Sequence, residues 1–190
     1  ITAGGVRNIS ADTTTSGNIL IGSVVADGDT VTLTSIGSIN DATTDTVTDI
    51  TSSIVDLDAV TGIGESEEIE TVVSTVDADT TGVGAAIIDI DNALATLVTL
   101  QSFSTVGTGA HILFDQSGGG DLTVTSAVTT DGQIDISVDS GDLTLTTITA
   151  GGVRNISADT TTSGDILIGS VTADGDTVTL TSIGSINDAT

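Results

Sequence analysis

The 190-residue chain carries 27 acidic residues against two arginines and one histidine, for a formal net charge of -25, and has no Lys, Cys, Pro, Met, Trp or Tyr. That balance excludes nucleic acid, whose phosphates need a basic surface, and excludes attraction to an anionic membrane surface. No run reaches the roughly 18 apolar residues of a membrane-spanning helix, and without cysteine there are no disulfide staples or thiolate metal sites. The mean hydropathy is nevertheless +0.37. It comes from Val, Ile, Leu and Ala, and with so many β-branched residues it indicates a folded β-rich chain with a thin aliphatic core, not a disordered one.

In chain order, the first stretch is "ITAGGVRNISADTTTSG", and it returns unchanged at Ile148. Residues 1–43 align without a gap on 148–190, with 41 of 43 positions identical and differences only at Asn18/Asp165 and Val25/Thr172. The expected organisation is one full long repeat at 1–147 and the start of the next at 148–190, as in a window of a longer tandem array. Within the repeat, 1–43 and 107–147 look regular, and 44–106 less so. In that middle, "ESEEIETVVSTV" (65–76) and "DIDNALATLVTL" (89–100) space apolar residues by three and four, which is compatible with short helices. Their Val and Thr content, and the 21-residue offset between Ile69 and Ile90, favour strands with turns.

Further along, "GD" starts a unit at Gly120, Gly141 and Gly164, and "GSINDAT" follows at Gly184, so the unit recurs at a near-constant spacing. Each unit alternates apolar and polar residues: Leu122 and Val124, then Ile134, Ile136 and Val138, then Leu143 and Leu145, then Val178 and Leu180. Period-two alternation is the signature of a strand with one buried face. Gly and Asp punctuate the turns between strands. One such unit cannot bury its apolar face alone, but stacked units can. The reading is an all-β parallel β-helix, a β-solenoid of about 21 residues per coil, with seven coils in the 147-residue repeat. At about 4.8 Å per stacked strand, seven coils would advance roughly 34 Å.

The stretches "SGDLTVTSAVTTDGQIDISVDSGDLTLTTITAGG", "SGDILIGSVTADGDTVTLTS" and "IGSINDA" resemble the coils of large repetitive bacterial surface proteins of the filamentous-haemagglutinin-like adhesin type. The resemblance lies in Gly-Asp-aliphatic-Thr patterning and brings no catalytic or binding signature. It implies a right-handed β-helix that is secreted or displayed on the cell surface and serves attachment, biofilm or surface structure. The near absence of basic residues and the fidelity of the long repeat depart from that family and favour a uniform structural fibre.

Candidates for chemistry are few. His111 lies in "TGAHILF" and reads as a packed or solvated residue. Arg7 and Arg154, one per long repeat, read as partners for nearby carboxylates. No Ser stands in a G-x-S-x-G elbow, so no enzyme is expected. Acidic turns are the one candidate for ligand binding. Stacking in register would line up Asp121, Asp142 and Asp165, and D-x-D pairs occur at Asp27/Asp29, Asp56/Asp58, Asp77/Asp79, Asp89/Asp91 and Asp174/Asp176. Asp121, Asp142, Asp165, Asp27, Asp29, Asp174 and Asp176 are therefore the candidate ligands for Ca²⁺ or a similar divalent ion, against a plainer role in turn geometry and solubility.

The functional expectation is a structural segment of an extracellular fibre, sheath or stalk, whose partners are neighbouring repeats of the same chain and copies of itself. Two alternatives stand beside it. One is an adhesin shaft that binds a surface glycan or protein, for which Phe103 and Phe114 are the only aromatic candidates. The other is a carbohydrate-active enzyme.

Overall fold

The computed structural model describes residues 1–189, and among them there is no helix, only strands and turns. All strand pairings are parallel, and each strand pairs with its counterpart one turn further along, as Ile19 with Ile39, Val24 with Ile50 and Leu143 with Ile166. The chain is thus a β-solenoid of about eight turns. The stretches with helical spacing are strands too: Ile69–Val72, Thr75–Thr80, Ile87–Asn92 and Val98–Thr108.

Each turn lays one stretch of chain on each of two walls that share a core. On the first wall an inward ladder runs Ile9, Val31, Val55, Val76, Leu100, Val124, Leu145 and Ile168. On the second wall the ladder is Ile19, Ile39, Ile63, Ile88, Ile112, Ile134, Ile156 and Val178. A β-branched side chain stacked on its like fills the same small volume turn after turn, so the core closes without large residues. The exceptions are Phe103 on the first wall and Phe114 on the second, which meet edge to face with ring centroids 5.7 Å apart. Phe103 fits because its ladder neighbours are Ala78 and Ala127. Both rings are fully buried, so neither offers an exposed aromatic face.

The ladders refine the coil count. Between Ile9 on the first wall and its copy Ile156, the chain crosses from wall to wall thirteen times. Ile156 therefore lies on the second wall, in the isoleucine ladder, and not beneath Ile9. The long repeat is six and a half turns, where uniform 21-residue coils would give seven. Even regular turns exceed 21 residues, since Ile112 pairs with Ile134 and Ile134 with Ile156, and the less regular middle adds more. Opposite Ile21–Val24 the next turn inserts residues 42–48, so the pairing moves from Ile21/Asp41 directly to Val24/Ile50. One turn on, Gly64–Glu68 stand where the following turn has only Asp89 between Ile88 and Ile90. The two inserted segments project from the second wall in adjacent turns.

Phe103→Ala would leave a cavity between two alanines that cannot expand to fill it. It should cost about 3–5 kcal/mol, read as a lowered urea midpoint with an unchanged m-value.

Candidate metal centre

The Gly-Asp turns fold by a device that the stacking makes repeatable. Gly141 and Gly164 have φ of 126° and 118°, open to glycine alone, and each turns the chain into the next residue, Asp142 or Asp165. There the Asp142 N–H donates to Asp121 Oδ1 at 2.9 Å, the Asp165 N–H to Asp142 Oδ1 at 2.9 Å and the Ser185 N–H to Asp165 Oδ1 at 2.7 Å. The three aspartates do form a column, and one oxygen of each accepts the backbone donor of the turn beyond. In the first copy Asn18 does the same for the Ser38 N–H at 3.0 Å. One of the two differences between the copies is thus an exchange of Asn for Asp that keeps the acceptor and changes the charge.

The D-x-D turns are more open. Asp29 accepts the Arg7 N–H at 2.6 Å and Asp176 accepts the N–H of Thr177 at 2.9 Å, while Asp27 and Asp174 are exposed. Asp56/Asp58 and Asp77/Asp79 pair directly, Asp56 with Asp77 and Asp58 with Asp79, and make a square of four aspartates on the outer side of the first wall. Burial, then the charges of Asp79, Asp56 and Asp58, push Asp77 up to about 6. Burial and the neighbouring aspartates also raise Asp56 and Asp58.

The tightest acidic group is one the turn motifs did not reveal. Asp41 ends the strand Ser38–Asp41, residues 42–48 loop out, and Asp49 brings the chain back to the wall at Ile50–Ala59. Glu70 lies beside Asp49 in the next turn, at the return of the second inserted segment. The Asp49 N–H donates to the Glu70 carbonyl at 2.8 Å, and the Glu70 N–H to Asp49 Oδ2 at 3.3 Å. Asp41, Asp49 and Glu70 are only 5%, 2% and 6% exposed. Carboxylate oxygens from all three lie within 4.8 Å of one another.

At an effective dielectric near 20, two ionised carboxylates at that separation repel by about 3 kcal/mol. Burial, then contact with Asp41, accordingly pushes Asp49 up to about 8. Burial raises Glu70 as well. Asp41 Oδ1 and Glu70 Oε2 are buried with no hydrogen-bond partner. Beside the trio opens a cleft of about 300 Å³ edged by Asp45, Glu65, Glu67, Glu68 and Asp89.

Cations are placed elsewhere. Arg154 Nε pairs with Asp131 at 2.9 Å, as expected of a local partner. Arg7 is exposed in the turn before Ile9–Asp12, and its side chain makes no ion pair among the described residues. His111 is packed: its Nδ1 accepts the Gln133 N–H at 3.1 Å, and burial lowers its pKa. The signal for the trio was present in the sequence as the 21-residue spacing of Asp49 and Glu70, with Asp41 and Asp49 bracketing a break in the alternation.

The chain matches no family model, no curated protein and no solved structure. Its class therefore rests on its own geometry, which is that of a parallel β-solenoid protein, consistent with β-helix repeat proteins in general.

Two outcomes follow. Asp142→Asn should leave stability unchanged or slightly raised, because the acceptor persists, whereas Asp142→Ala should cost about 1 kcal/mol by orphaning the Asp165 N–H; urea titration distinguishes them. The second concerns pH. Between an ordinary carboxylate value of 3.8 and about 6, folded Asp77 holds a proton that the unfolded chain has released. Stability therefore falls as pH rises through that window. The Tm, followed by circular dichroism in chelator at fixed ionic strength, should be higher at pH 5 than at pH 7, and Asp77→Asn should reduce that difference without removing it, because Asp49 and Glu70 shift in the same direction.

Proposed function

We propose that this chain is a structural segment of a longer solenoid rod, secreted or displayed on the cell surface, that works by length and stiffness and not by catalysis. One observation carries the reading: the same residues are buried or bare according to whether another turn lies on them. Val31 and Ile39 are 0% exposed beneath the turn that contains Ile50–Ala59 and Ile63, while their copies Val178 and Ile186 are 40% and 46% exposed. The final described turn thus presents the interior surface of the solenoid, with the unpaired strand edges that proteins normally cover. In the first copy that surface is covered by the turn containing Ile50–Ala59 and Ile63.

Such a rod gains length with repeat number, and each added turn stabilises its neighbour through the shared interface. Acidic outer faces keep it soluble and discourage lateral collapse. The extracellular setting is the expectation that the resemblance to repetitive bacterial surface proteins carries.

A chain extended through a second full repeat should lengthen by roughly 31 Å, six and a half turns at about 4.8 Å each. Small-angle scattering measures that increment, and the Tm should rise with it. A compact particle, or a second repeat that adds no length, would overturn the rod; negative-stain images of native material should show threads.

A further inference from the structure

We propose that Asp41, Asp49 and Glu70 form the binding site of one calcium ion, which ties together the necks of the two inserted segments of the second wall. The site does not depend on whether the solenoid forms a rod. One oxygen from each of the three carboxylates lies within 4.8 Å of the other two. Oxygen ligands held at about 2.4 Å from one Ca²⁺ are separated by at most about 4.8 Å, so the spacing of the three meets the condition for sharing one ion, with small side-chain adjustments and no movement of the walls.

The second observation is the unmet demand at the site. Asp41 Oδ1 and Glu70 Oε2 belong to side chains more than nine-tenths buried, yet neither has a hydrogen-bond partner. The sequence has no lysine, Arg154 is engaged by Asp131, and Arg7 pairs with none of the three carboxylates. The other Asp41 oxygen accepts a long bond from Thr43 Oγ1, at 3.3 Å. Buried charge of one sign is retained in proteins when it is paired or coordinates a metal.

Ligand chemistry selects the ion. Three carboxylates with no nitrogen or sulfur donor suit a hard cation over zinc or copper. Mg²⁺ demands a near-octahedral shell and gives up water reluctantly, whereas Ca²⁺ accepts irregular sets of six to eight oxygens. The adjoining cleft has room for the waters that would complete such a shell. Its rim of Asp45, Glu65, Glu67, Glu68 and Asp89 concentrates cations at the entrance. Asp41 and Asp49 stand at the two ends of the first inserted segment and Glu70 at the return of the second. One ion therefore closes both necks at once.

The test is calcium binding by the intact 190-residue chain, measured by calorimetry and equilibrium dialysis after chelator treatment, at constant ionic strength in about 150 mM KCl, where diffuse surface attraction is screened. The expected result is one saturable Ca²⁺ per chain, with Mg²⁺ at least tenfold weaker and a Tm that rises with Ca²⁺. Asp49→Asn and Glu70→Gln should each weaken binding at least tenfold and remove the Ca²⁺-dependent rise in Tm. In chelator their Tm should equal or exceed that of the parent chain, since each removes a buried like charge. Asp77→Asn, on the opposite wall, should bind as the parent does. If Asp49→Asn fails to fold, Glu70→Gln carries the same readout. The proposal is overturned by an absence of saturable binding in the parent chain. It is equally overturned by binding that survives in Glu70→Gln, or by binding that Asp77→Asn abolishes.

Discussion

Strand residues of this protein lie between their counterparts in the turns before and after, in parallel register at the strand spacing of about 4.8 Å. That single constraint makes like sit on like. For apolar side chains the result is favourable, and the unbroken ladder from Ile19 to Ile156 is its purest expression. Short branched residues stacked on themselves need no large neighbour to fill gaps, which is how a chain with two aromatic residues keeps a closed core. Where a large ring does occur, at Phe103, small residues above and below make room for it.

The same register is unfavourable for charge. A carboxylate at an outward position tends to meet another carboxylate in the next turn, and the chain has almost no cations to intervene. Two local outcomes are visible. In the Gly-Asp turns each carboxylate accepts the backbone N–H of the neighbouring turn, so the column of Asp121, Asp142 and Asp165 also works as a hydrogen-bonded seam. In the square of Asp56, Asp58, Asp77 and Asp79 no such donor is supplied to Asp79 Oδ1, and the raised pKa values of the other three express the cost. The trio of Asp41, Asp49 and Glu70 is the most buried, and two of its oxygens have no hydrogen-bond partner.

Legibility in the sequence follows the same division. Period-two alternation and the recurrence of Gly-Asp gave the strands, the parallel stacking and the Asp column, because these depend only on local pattern and a constant offset. The half turn and the trio depend on departures from that offset. Residues 42–48 and Gly64–Glu68 insert extra chain into adjacent turns, and a uniform 21-residue ruler passes over both. Once Asp49 is seen to stack on Glu70, the convergence with Asp41 requires knowing that the loop between Asp41 and Asp49 returns to the wall where it left. Chain closure of that kind is a tertiary fact.

A repeat of six and a half turns also bears on how such a sequence can change. The strand Ile9–Asp12 builds the first wall, and its copy within Ile156–Ser163 builds the second. Wherever the repeat continues, a segment that lies on one wall in one copy lies on the other wall in the next. A substitution fitted to the curvature or neighbours of one wall would be tested in the next copy against the other. The side chains that the two copies share at these positions, Ile, Val, Leu, Ala and Thr, thus serve on both walls.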